Sequence, residues 1–204
     1  MFTCSVIAQE LIKEGKITYE ISYPDMEMDQ QMAAMMPVES IVYIKSHLSR
    51  SETAMGMGIS SVTIMNSKTN EVIALMDMMG TKTATKMKDE SGGKDKDAMK
   101  FSLVDETKVI AGIECKKAIM KNTDGTEFEM FYTDKIDSRS QFSKQWKEFK
   151  GFPMEYVITS AGFNMKMTAK TIETEKIDDS MFAIPPDYTV MTQEEFSKMM
   201  GGEK

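Results

Sequence analysis

Met-x-Met pairs are the residues of this chain best suited by type and spacing to do chemistry. They occur at Met26/Met28, Met55/Met57, Met76/Met78 and Met165/Met167, and thioether sulfur is a soft ligand that selects copper(I). In a strand, however, residues two apart point the same way. Each pair therefore also suits an apolar face, either as core or as the lining of a cavity. A copper site gains from neighbouring His or Cys, and the whole chain holds one His and two Cys. The wider bias is stronger than any single pair. There are 23 methionines, against leucine only at Leu11, Leu48, Leu75 and Leu103. Unbranched, polarizable thioether chains adapt to an irregular or changing shape. That fits a cavity receiving flexible apolar guests, and equally a loosely specified core.

Catalytic chemistry finds little material. His47, in KSHLSR, stands near Ser49 and Arg50 without the partners of a general base. There is no nucleophile elbow, phosphate loop or dinucleotide fingerprint. Cys115 has no histidine assigned to it, and its plain reading is a small buried hydrophobe. Asp178-Asp179 and Glu194-Glu195 are adjacent acids, whereas a calcium loop needs oxygens at alternate positions and a terminal Glu. The expectation is a non-enzymatic protein with no cofactor and no dedicated metal site.

Charge narrows the partners. A formal net charge of −7 argues against nucleic acid, which needs a concentrated basic surface. No apolar run reaches bilayer-spanning length, so a transmembrane protein is not expected. The first nine residues, MFTCSVIAQ, are apolar and uncharged and read as the end of a truncated secretory signal, the alternative being a plain N-terminal strand or frayed tail. A periplasmic or otherwise exported protein follows, with residues 10–204 as a single domain. A Cys4–Cys115 disulfide is open but unsupported by any spacing.

The elements that must carry these residues show mainly period-two alternation. Ile17, Tyr19, Ile21 and Tyr23 share one strand face, as do Val72, Ala74, Met76 and Met78. The same holds for Met99, Phe101 and Leu103, for Phe128, Met130 and Tyr132, and for Phe152, Met154, Tyr156 and Ile158. Phe163, Met165, Met167 and Ala169 alternate with Asn164, Lys166, Thr168 and Lys170. Such strands belong to antiparallel sheets with one wet and one dry face. Turn signals at 66–70, 122–125 and 160–162 predict a meander, and KMKDESGGKDKD over 86–97 predicts a charged hairpin loop. Three short helices are expected. One runs over Met26–Met36, capped by Asp25 and stopped by Pro37. A second covers Gln141–Phe149, and a third covers Thr192–Met200 with a Thr192/Glu195 capping box. Met28, Met32, Met35 and Met36 form a stripe on the first, which fits a lid over an apolar pocket and equally an ordinary covering helix.

The order of several segments carries a resemblance. GKITYEISY over 15–23 precedes a Met-rich helix, VYIK over 42–45, Ser49-Arg50, LMDMMG over 75–80, IAGIECKKA over 110–118, GFPME over 151–155 and FAIPP over 182–186. This resembles an uncharacterised Bacteroidetes-type family of exported proteins. That family is a domain of unknown function near the GLPGLI group, related to the LolA/LolB lipoprotein-carrier superfamily. The resemblance implies a strongly curved antiparallel sheet, an unclosed barrel of α+β class, with about three short helices covering its open side. Carriers of this shape hold acyl chains between sheet and helices. The expected ligand is thus a lipid or other apolar small molecule. Its lining is assigned to Ile17, Tyr19, Ile21, Met28, Met32, Met35, Met76, Met78, Met130, Met154, Met165 and Met167. The alternatives are a structural or interaction module of the cell envelope with a filled core, and a methionine-based copper(I) binder.

Overall fold

A computed structural model describes residues 10–88, 100–121, 126–140, 149–160 and 163–199. The alternating segments pair into one sheet of twelve strands. These are β1 (Glu14–Ser22), β2 (Glu39–Lys45), β3 (Leu48–Met55), β4 (Ile59–Asn66), β5 (Glu71–Met78) and β6 (Thr81–Lys88), then β7 (Lys100–Ile110), β8 (Ile113–Lys121), β9 (Glu127–Thr133), β10 (Phe152–Ser160), β11 (Phe163–Glu173) and β12 (Thr189–Met191). Their spatial order is β12-β6-β5-β4-β3-β2-β1-β11-β10-β9-β8-β7. The sheet is two meanders joined where β11 returns beside β1, and it stays open, with β12 and β7 at its edges. Every pairing is antiparallel except that of β12 on β6.

The expected α+β class is overturned: the molecule is mostly β, and among the described residues only two α-helices occur. The first, α1, is a single turn over Gln30–Ala33 with no buried residue. The cap is Asp29, whose carboxylate accepts from the Met32 amide at 2.7 Å, and not Asp25. The chain before it stays non-helical because the first turn begins only where that cap is available. The second, α2 (Gln193–Met199), has the expected capping box. Thr192 N donates to Glu195 Oε2 at 2.7 Å, and Glu195 N donates to Thr192 Oγ1 at 3.2 Å. The helix expected over Gln141–Phe149 lies, but for its last residue, outside the described residues, as do the leader over 1–9 and the turn at 122–125. Most of the charged loop over 86–97 is outside too; its first three residues, Lys86–Lys88, finish β6.

Two tight contacts fix how segments meet the sheet. A Cβ on Gly15 would lie 2.5 Å from the Glu173 carbonyl oxygen, and one on Gly56 would lie 2.2 Å from that of Ala34. Gly15 thus lets β1 lie close to the end of β11. Gly56 lets the β3–β4 turn seat against α1, where its amide donates to the Met35 carbonyl at 3.2 Å. The second half of the β7–β8 hairpin folds back past a register shift between Val104 and Thr107, so that Lys108 of β7 reaches Glu155 of β10. Gly15→Ala must push β1 off β11, and a cost of about 2 kcal/mol is expected. The check is a thermal melt: a fall of several degrees in Tm is the expected result, and an unchanged Tm contradicts this account.

Candidate functional site

Cross-strand partners share a sheet face, so the register defines two faces across half the molecule. From β1 to β6, one row runs Tyr19, Ser40, Thr53, Ser61, Met76, Thr83. The next runs Ile17, Val42, Ser51, Thr63, Ala74, Thr85, and the third runs Gly15, Ile44, Ser49, Met65, Val72, Met87. This tyrosine face carries no charged residue on any of these strands. The reverse face takes the charges, among them Lys16, Arg50, Glu52, Glu71, Asp77, Lys82, Lys86 and Lys88. In the other direction the tyrosine face continues through Ala169 beside Tyr19, then Met167 and Tyr156 in register with Ile21, with Met165 opposite Ile158.

At its centre the tyrosine face is tightly packed. Ile17, Tyr19, Ile21, Tyr23, Val42, Ile44, Met154, Met167 and Ala169 are buried in one cluster, against which Met26, Met28, Met36 and Met165 pack. Tyr19 and Tyr156 meet edge to face with centroids 5.9 Å apart. Tyr19 Oη donates to the Pro153 carbonyl at 2.7 Å, beside a bulge at which Met154 is the extra residue of β10. Burial drives the Tyr19 hydroxyl well above the ordinary tyrosine range and that of Tyr156 up to about 12. Both stay neutral, Tyr19 as a donor. Burial likewise pushes the Cys115 thiol up to about 11; it is a buried free thiol and not an activated nucleophile.

Of the twelve expected lining residues, the structure gathers Ile17, Tyr19, Ile21, Met28, Met154, Met165 and Met167 around one core. Met130 belongs to a neighbouring cluster with Ala118, Met120, Tyr132 and Phe149, linked to the first through Tyr156. Met76 and Met78 share the tyrosine face but are only half-buried, and the deeply buried residue of β5 is Leu75, on the reverse face. Met32 and Met35 lie outside both clusters. They are exposed at 43% and 49%, because a one-turn helix cannot lay a stripe across the sheet. Leu103, expected on a dry face, is 72% exposed on the edge strand β7. The Met55/Met57 pair is also exposed, at the β3–β4 turn.

The hydroxyl rows were missed. Their signal was present as Ser/Thr alternation in SRSET over 49–53 and TKTAT over 81–85, which a search for apolar alternation passes over. His47 lies at the β2–β3 turn, with Nδ1 3.3 Å from Ser67 Oγ. Among the described residues no group of three or more His, Cys, Asp or Glu could hold a metal ion. Nor is any helix there long and apolar enough to cross a membrane.

The arrangement defines a class: an open, mostly-β sheet with one uncharged, methionine- and hydroxyl-bearing face. The chain belongs to the family described as a domain of unknown function, DUF4412, whose model matches residues 14–188. No curated protein matches it. Among solved structures, that of PNGF-II in a C2 space group is similar over 92% of this chain, with a TM-score of 0.56 and 16% identity. The match spans 32% of the PNGF-II chain, and at that identity the likeness concerns the fold alone.

Two outcomes follow from this geometry. Tyr19→Phe leaves the Pro153 carbonyl without its buried donor and should cost about 1 kcal/mol, read as a lowered denaturant midpoint with unchanged slope. Glu155 supplies the second. Burial alone would raise its pKa, but hydrogen bonds from Lys108 and Lys166 outweigh that and hold it below the ordinary glutamate value of 4.5. Its stabilisation is therefore complete above that value and disappears as pH falls through the lowered folded value. Glu155→Gln should flatten the acid limb of a Tm–pH profile from the ordinary glutamate range downwards.

Proposed function

We propose that this chain is an exported, non-enzymatic binding protein that holds a lipid or other apolar ligand against the tyrosine face, a task akin to that of the lipoprotein carriers its segments resemble. One observation carries the reading. Across β1–β6 every charged side chain lies on the reverse face, while Met65, Met76, Met78 and Met87 line the uncharged face half-buried rather than sealed. Ordinary wet faces of antiparallel sheets carry charges. A face that excludes them is suited to an apolar partner, gaining about 25 cal/mol per Å² of apolar area covered. Methionine suits a ligand of variable shape, since it re-packs with less strain than branched chains. Support for export comes from the apolar, uncharged segment over 1–9, whose composition is that of a secretory signal's apolar stretch.

Gentle-desorption mass spectrometry of protein purified without detergent is expected to find apolar small molecules bound. Met76→Glu, which introduces a charge into the half-buried face, should lower uptake of a fluorescent fatty-acyl probe by about tenfold. Lys86→Glu on the reverse face should leave uptake unchanged. Equal uptake by wild type and both variants contradicts the proposal.

A further inference from the structure

Three hydroxyls of the tyrosine face are buried with nothing to bond. Ser49 Oγ, Thr83 Oγ1 and Thr85 Oγ1 each expose less than 1 Å² and find no hydrogen-bond partner, in residues exposed by only 1%, 3% and 3%. Neighbours on the same face behave differently. Ser40, Ser51 and Thr53 satisfy one another, with Oγ–Oγ separations of 3.2 Å, and Ser40 also donates to the Glu52 carbonyl at 3.2 Å. A buried hydroxyl without a partner costs about 1–3 kcal/mol, and valine has nearly the shape of threonine and a higher preference for strands. Two such threonines in sequence on one strand face are thus a standing cost that the fold itself does not require. Thr83 and Thr85 lie about 7 Å apart along β6, flanked across the strand by Met76 and Ala74.

The geometry points to Thr83 and Thr85 as the subsite that hydrogen-bonds the oxygen-bearing, uncharged group of an acyl ligand, a neutral ester or hydroxyl such as that of an acylglycerol. The inference rests on the apolar-ligand reading above and specifies its chemistry. Hydroxyls donate to ester carbonyls and accept from alcohols, so both groups are served. A carboxylate or phosphate is not: the rows from β1 to β6 hold no cation on this face to offset its desolvation. Met76, Met78 and Met87 then meet the chain that follows the polar group, and Ser49, three strands away, marks the far end of the hydroxyl band.

The test compares three probes with one chain length, 1-monooleoylglycerol, oleate and 1-octadecene, on wild type, on the double variant Thr83→Val/Thr85→Val, and on Thr83→Ser/Thr85→Ser. Wild type should bind monooleoylglycerol at least tenfold more tightly than oleate or octadecene. The valine variant should lose that preference while keeping its affinity for octadecene and a Tm no lower than wild type; the serine variant, which keeps both hydroxyls, should retain the preference. Equal binding of octadecene and monooleoylglycerol by wild type, or a preference that survives in the valine variant, overturns the subsite while leaving an apolar site standing. Preference for oleate overturns the exclusion of charge. Failure of all three probes to bind overturns the apolar-ligand reading itself.

Discussion

Register is the constraint on which the rest of this molecule depends. Side chains alternate with a period of two, so a one-residue slip in any pairing moves a strand's entire set of side chains to the opposite face. From β1 to β6 the rows stay aligned without a shift. A slip of β5 alone would carry Glu71 and Asp77 onto the tyrosine face and Leu75 out of its cluster. Charged residues on alternate positions thus act against wrong pairings as well as for solubility. The tight β-turns hold the register at each step. Positive-φ residues close the hairpins, among them Ser46 at β2–β3, Met57 and Gly58 at β3–β4, Asn70 at β4–β5, and Met79 and Gly80 at β5–β6.

The reverse face is not simply a wet one. Val62, Ile64, Leu75 and Ala84 form a third buried cluster there, covered by Phe182, Ile184 and Tyr188 of the segment that leads into β12. Arg50 helps to hold that segment. Its Nε meets Glu52 at 2.5 Å and its Nη1 donates to the Met181 carbonyl at 2.9 Å, while Lys45 donates to the Ile177 carbonyl at 2.7 Å. The C-terminal strap thereby occupies the apolar stripe of the reverse face with the chain's own side chains. The strap's presence there makes the contrast with the tyrosine face informative: one face of the same strands is stitched down by aromatic residues and ion pairs, while the other presents thioethers and hydroxyls.

The sequence made the strands legible where apolar residues alternate with polar ones, as in β1 and β11, because period two survives whatever lies above the sheet. It was weakest where that contrast fails. In β3 and β6 both faces read as polar, since Ser and Thr alternate with Arg, Glu and Lys, and the hydroxyl face went unread. In β5 two apolar sets interleave, Val72/Ala74/Met76/Met78 and Ile73/Leu75, and only tertiary packing decides which becomes core. The Met-rich segment over 26–36 has helical spacing, yet its methionines do separate jobs. Met26, Met28 and Met36 pack against the core, while Met32 and Met35 stay out in solvent. Periodicity reports where a stripe would point if a helix formed; it does not supply the cap, and here the cap sits four residues later than expected. The parallel pairing of β12 rests on three residue pairs, too few to leave a pattern.

Methionine in place of leucine gains its meaning from where the structure puts it. Met154, Met167 and Met130 are buried in the packed clusters, where leucine would serve as well and would specify a tighter core. Met65, Met76, Met78 and Met87 are different, being half-buried on a face whose hydroxyl neighbours are partly unsatisfied. A rigid branched side chain at those positions would fix one surface contour. A thioether with three rotatable bonds keeps several contours within reach, and in the reading proposed above the hydroxyls beside it would orient a guest that carries oxygen. Adaptable apolar contact combined with a few fixed hydrogen-bonding groups is how pockets admit a range of chains while selecting a head group. The same strands thus carry two different surfaces: the reverse face is covered by the C-terminal strap, and the tyrosine face is packed at its centre and lined by half-buried methionines towards β6.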